Sequence, residues 1–234
     1  MQSQAVASFD YQKARRSCDR PQGNRSCPPL RHIVGRDMMP VAYDSQTALV
    51  VVDLQNDFVD PAGSLFVPGA DRLVEAANAE IRDAREAGAL VVYTQDWHPA
   101  QTPHFVTSGG RWPVHCVAGS WGAQFQPGLT LEGEVVRKGT GGEDGYSAFS
   151  VRDPATGRTT STELEALLRR WGIERVVVIG VATDYCVRES ALDALRLGFD
   201  VSVMTSAVRA VDEPPGTGDA ALAELAAAGA HLVP

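Results

Sequence analysis

Lysine is nearly missing from this chain: the 234 residues contain Lys13 and Lys138 and otherwise carry positive charge on arginine. Cysteine is sparse too. Cys18, Cys27, Cys116 and Cys186 form no CxxC pair and no dense framework, which argues against a zinc finger and against a secreted disulfide scaffold. No apolar run approaches the roughly 18 residues of a membrane span, and the N-terminus lacks the apolar stretch of a signal peptide. These absences read as a cytoplasmic protein with no membrane partner. Excess positive charge is also lacking, since the net charge is −8. Residues 1–37 hold seven basic and three acidic side chains, leaving 14 basic and 26 acidic in the remainder. An acidic globule argues against nucleic acid as a partner.

What is present divides into two parts. Residues 1–40 are rich in Gln, Ser, Arg, Pro and Gly with no sustained apolar period, a composition that cannot bury enough surface to order itself. They are expected to form a disordered extension. Met38 and Met39 stand directly before the first strand-like sequence, so translation is expected to begin there naturally, with the upstream residues a start-site artefact. A short basic targeting tail is the competing reading. Residues 41–234 supply the domain, and 44% hydrophobic with 21% charged residues overall is ordinary for one globular core.

From residue 47 the pattern becomes regular. TALVVVDL, a helical period over 69–87 ending at Gly88, and ALVVYTQ at 89–95 predict a βαβ unit. EVVRK at 134–138, a helix over about 160–171, RVVVIGVA at 175–182 and a helix from Asp184 to Leu197 follow. DVSVMTSA at 200–207, an Ala-rich helix near 218–228 and the strand AHLV end the chain. Short β-branched runs alternating with helices predict an α/β domain, a Rossmann-like parallel sheet with helices on both faces. Sites in such sheets form beyond the carboxyl ends of the strands. That rule selects Asp53, Asp96, Lys138 and the 180–186 turn.

Each of these has a chemical reading and an ordinary one. Asp53 closes the apolar strand of VVVDLQNDF and is a candidate general base, or else a turn cap. Lys138 is the single lysine among thirteen arginines after residue 40. A compact ammonium fits between an acid and a thiol where a planar guanidinium would not, and it favours a thiolate. Cys186 in GVATDYCV falls in the first turn of a helix that Thr183 or Asp184 can cap. Free N–H groups and the helix dipole there lower a thiol's pKa and can hold an oxyanion. Cys116, which lacks a helix start, reads as a buried hydrophobe.

DWHPAQTPHFVTSGGRWPVHC gathers Asp96, His98, His104 and His115 within twenty residues, although the chain has five histidines in all. Asp96 and His98 are two apart and share a face of an extended strand end. Three imidazoles and a carboxylate suit one divalent ion, Zn first and then Fe or Mn, with positions left open. His32 and His231 lie outside the cluster and read as structural or exposed. Phe58, Trp112 and Tyr146 fall in the surrounding loops and could wall a flat ring.

Together VDLQNDF, D-x-H with two further histidines, the lysine strand RKGT, and GVATDYCV resemble the nicotinamidase/pyrazinamidase family of the isochorismatase-like hydrolases. The resemblance covers nearly all of 45–234. It implies a triad of Asp53, Lys138 and Cys186, and a metal held by Asp96, His98, His104 and His115. It implies a cis peptide at Val181-Ala182 that lets the amide N–H groups of Ala182 and Cys186 form an oxyanion hole. Phe58, Trp112 and Tyr146 match ring-sandwiching positions, and Tyr185 stands where some relatives have histidine. The implied reaction is hydrolysis of nicotinamide, and of pyrazinamide, through a Cys thioester in NAD salvage. A homo-oligomer is compatible with the resemblance, though no segment marks an interface.

Rival readings are a metallohydrolase of another small amide in which Cys186 is structural, and a non-catalytic member that only binds a nicotinamide-like ligand. The intact triad and ligand set argue against the second.

Overall fold

The computed structural model describes residues 41–234. The expected N-terminal extension, its start site at Met38 or Met39, and His32 lie outside those residues. Strand β1 (Thr47–Val52) is buried along its whole length, as a parallel strand covered on both faces must be. Its alternation is still visible in the packing. Ala48, Val50 and Val52 point into one cluster, whereas Leu49 and Val51 point into the other.

Six parallel strands make the main sheet: β1, β2 (Leu90–Asp96), β3 (Glu134–Lys138), β6 (Arg175–Val181), β7 (Asp200–Arg209) and β8 (His231–Val233), in the order β3-β2-β1-β6-β7-β8. The chain runs outward from β1 to β3, then returns to lay β6 on the other side of β1. The crevice between the carboxyl ends of β1 and β6 is therefore the topological switch point where α/β sheets bind ligands. Val52 pairs with Gly180 there. A side chain at position 180 would run into the Val52 carbonyl, and its φ of 115° favours glycine.

Helices α1 (Asn56–Val59) and α2 (Leu73–Glu86) cover one face, with α2 burying Leu73, Ala77, Ile81 and Ala84 at helical spacing. Gly88, at φ 77°, follows α2 in the left-handed conformation that commonly ends a helix. Helices α3 (Leu164–Arg170), α4 (Arg188–Arg196) and α5 (Thr217–Ala228) pack Leu168, Ala191, Ala194 and Leu225 on the opposite face.

Two sequence-based boundaries and one capping assignment are corrected. The helix expected from about 160 begins at Leu164, because the β-branched Thr159–Ser161 forms β5 and pairs antiparallel with β4 (Ser150–Arg152). The helix expected from Asp184 starts as a π-turn, Thr183–Val187, before α4. Neither Thr183 nor Asp184 caps it. Asp184 instead accepts the N–H groups of Val211 and Asp212 and the hydroxyl of Thr217, tying the turn to the segment before α5.

Candidate active site

Asp53 follows β1 at φ 51°, a left-handed conformation that aspartate tolerates better than most residues. Its Oδ1 accepts a 2.7 Å hydrogen bond from Thr94 Oγ1 on neighbouring β2. Its Oδ2 lies 2.7 Å from Lys138 Nζ as an ion pair outside hydrogen-bond alignment. That oxygen is the one left with a lone pair to offer. Asp96 closes β2 and Lys138 closes β3, and the two are register partners.

Lys138 is buried and its ammonium has four neighbours. Asp53 Oδ2, Asp96 Oδ1 at 2.6 Å and the Gly145 carbonyl at 2.5 Å surround Nζ, and Cys186 Sγ lies 3.6 Å away. Burial alone would lower its pKa, but the charges of Asp53, Asp96 and Cys186 outweigh burial and hold it well up. Lys138 stays an ammonium. Burial raises the Asp53 carboxyl, against the pull of Lys138. Burial also pushes the Cys186 thiol well up, with Lys138 opposing and the two carboxylates adding to the rise. This corrects the expectation of a thiol lowered by its helix start and lysine, because desolvation of the thiolate dominates. Attack by sulfur therefore needs a base, and a raised carboxyl facing the thiol is a better one.

The three imidazoles of His98, His104 and His115 converge, each offering a ligand atom within 4.8 Å of the others. Asp96 stands beside them, with Oδ2 3.5 Å from His98 Nε2 and 3.7 Å from His115 Nε2. His104 gives its Nδ1 to Asp144 Oδ1 at 2.7 Å, and His115 gives its Nδ1 to the Pro113 carbonyl at 2.7 Å. Both contacts leave Nε2 as the lone-pair nitrogen, the usual arrangement behind a metal-bound histidine. Neither ring nitrogen of the buried His98 has a hydrogen-bond partner, an unfavourable state that a cation would relieve. Burial also lowers His104, against the Asp144 contact, which keeps its ring neutral. The set fits a divalent ion.

A cavity of about 440 Å³ opens over these groups. Asp53, Asp96, His104, His115, Ala182 and Cys186 lie on its floor and sides, and Phe58, Trp112, Tyr146 and Tyr185 supply aromatic walls. The Val181-Ala182 peptide is cis. Cys116 is buried, donates its N–H to Asp57 Oδ2 and does not line the cavity. His231 is exposed and far along the chain, on β8.

Sequence reasoning missed the orienting groups. Gln55 grips the backbone of Asp96 with both amide atoms, Nε2 to the carbonyl and Oε1 to the N–H, each at 2.8 Å. Thr94 holds Asp53, and Asp144 holds His104. Thr94 and Gln55 left a trace, being polar residues two positions from Asp96 and Asp53. Asp144 left none.

A buried acid, amine and thiol at the switch point of a parallel sheet, with a histidine cluster alongside, define the class: an α/β hydrolase. The isochorismatase domain model matches residues 47–234, and the chain belongs to that family. It is 40% identical over 203 residues to the nicotinamidase of Escherichia coli K12, covering 79% of this chain and 93% of that one. The pyrazinamidase of Pyrococcus horikoshii in complex with zinc superposes with a TM-score of 0.72 at 40% identity, covering 80% and 98% of the two chains. An L. infantum protein in complex with nicotinate gives 0.76 at 41% identity, covering 83% and 96%.

Proposed function

We propose that this protein is a nicotinamidase that hydrolyses nicotinamide to nicotinic acid and ammonia, and also accepts pyrazinamide, in cytoplasmic NAD salvage. The observation that carries the reading is the placement of Cys186 Sγ 3.6 Å from the Lys138 ammonium, facing Asp53, in an aromatic-walled cavity. A structural cysteine has no need of a buried acid and amine. Asp96, His98, His104 and His115 would hold one divalent ion, zinc by analogy with the P. horikoshii protein. When bound, it supplies Lewis-acid attraction for a ring nitrogen or a water molecule at one end of the cavity.

Asp53 Oδ2 removes the thiol proton as Sγ adds to the carboxamide carbon. The carbonyl oxygen becomes an anion facing the amide N–H groups of Ala182 and Cys186, at a turn that no side chain caps. Asp53 returns the proton to nitrogen, ammonia departs, and a thioester on Cys186 remains. Asp53 then deprotonates a water that attacks the thioester, releasing nicotinic acid, and the proton restores the thiol. Lys138 stays charged throughout and holds Asp53 in place. Phe58, Trp112 and Tyr146 flank the ring.

The test is ammonia release from nicotinamide by metal-replete wild type and by Cys186→Ala. Release by the wild type alone, with metal content equal in both, supports the scheme. Substantial turnover by the variant would place the chemistry elsewhere, on a scheme in which Cys186 is structural.

A further inference from the structure

Arg111 stands just before Trp112 and is exposed. Its guanidinium carbon lies 5.0 Å from the centre of the Trp112 ring and 5.5 Å from that of Tyr185, and Nη2 donates a 2.8 Å hydrogen bond to Tyr185 Oη. These partners are neutral. Trp112 and Tyr185 meet edge to face at 4.9 Å, and Trp112 Nε1 donates to Tyr146 Oη at 2.7 Å. All three rings line the reaction cavity, whereas Arg111 does not. It faces an outer cavity of about 660 Å³ that shares His104, Trp112 and Tyr146 with the inner one. Arg111 thus braces, from the solvent side, a wall one ring thick.

We propose that Arg111 is a positioning residue that fixes Tyr185 and Trp112 in the orientation a flat ring substrate needs, so that it sets ring-amide affinity without touching the reacting atoms. This rests on the nicotinamidase reading. Without the guanidinium the Tyr185 hydroxyl loses the donor that fixes it, and Trp112 loses the cation over its ring. A half-buried aromatic pair freed in this way samples other rotamers, and binding then has to select the productive one. The chemistry at Cys186 is untouched once the ring is seated.

The experiment compares steady-state nicotinamide hydrolysis by the metal-replete wild type, Arg111→Met, Arg111→Lys, Tyr185→Phe and the Arg111→Met/Tyr185→Phe double variant. Two cation–π contacts and one hydrogen bond predict a roughly threefold to tenfold rise in KM for Arg111→Met, with kcat changing far less. Arg111→Lys, which keeps the charge but not the planar fork, falls between wild type and Met. Tyr185→Phe adds little in the Met background, since the hydroxyl has already lost its donor. An unchanged KM, a fall in kcat without a rise in KM, or additive effects of the two substitutions would overturn the proposal while leaving the activity standing. A wild type silent toward nicotinamide would overturn both.

Discussion

Replacing Lys138 with methionine keeps the length of the side chain and removes the one cation shared by Asp53 and Asp96. Both carboxylates are buried, at 0% and 5% exposure, and both lie within 2.7 Å of the amine. Removing one member of a buried ion pair leaves an uncompensated charge and costs about 3–5 kcal/mol. That is a large part of the roughly 5–15 kcal/mol that holds a domain folded. With a urea m-value of about 2 kcal/mol/M, a loss of about 4 kcal/mol lowers the unfolding midpoint by about 2 M.

The measurement is urea unfolding followed by circular dichroism in the presence of a chelator, so that metal linkage does not add to the difference. The deficit should shrink as pH falls from 8 to 5, because an orphaned buried carboxylate relieves its cost by taking up a proton. Asp53→Asn in the Lys138→Met background should restore part of the stability and none of the activity, with a coupling of about 0.5–3 kcal/mol. A midpoint shift below about 0.5 M, independent of pH, would refute the claim that this amine neutralises the site.

Other consequences are sharp enough to test. Because burial raises Asp53 and the reaction needs it unprotonated, the acid limb of kcat/KM should lie above the ordinary carboxylate range near 3.9; a limb at or below that value would contradict the assigned base. His98→Ala should bind zinc at least tenfold more weakly by direct titration, and full retention of affinity would remove His98 from the ligand set. Lys138→Arg should lose most activity, since the pocket around Nζ is closed by Asp53, Asp96 and the Gly145 carbonyl; an active Arg variant would show that only charge matters. Tyr43 donates 2.8 Å to Glu80 Oε2, and burial pushes its phenol far up. Its folded pKa exceeds the unfolded value near 10, so the stability it contributes is present below pH 10 and lost as pH rises beyond it. Tyr43→Phe should therefore flatten the alkaline fall in urea midpoint, and an unchanged slope between pH 9 and 11 would refute that.

The legible parts of this protein are those in which burial leaves a mark on residue type. TALVVV and RVVVIGV are continuous apolar runs because both faces of a parallel strand are covered, so the central pair β1 and β6 could be placed from composition alone. Asp53 stood out as the polar residue that follows the first run, whereas Asp96 and Lys138 were visible as the carboxyl ends of β2 and β3, Lys138 also as the single lysine after residue 40. What sequence hid was long-range use of ordinary residues. Asp184 sits where a helix cap would and has the right chemistry, yet its oxygens serve Val211, Asp212 and Thr217, some thirty residues on. Local rules assign a side chain to its nearest free N–H, and here the long-range N–H groups of the segment before α5 take both oxygens instead. The Thr159–Ser161 strand was misread for a related reason: RTTSTELEALLRR carries β-branched residues at its start, but the stronger helical period downstream was extended back over them. Cys186 is the clearest instance. Its place at a strand-to-helix turn was readable, whereas its raised pKa depends on how far the surrounding residues exclude water from the thiol, a property of the packing around it and not of any one segment. Position followed from pattern, and reactivity had to wait for packing.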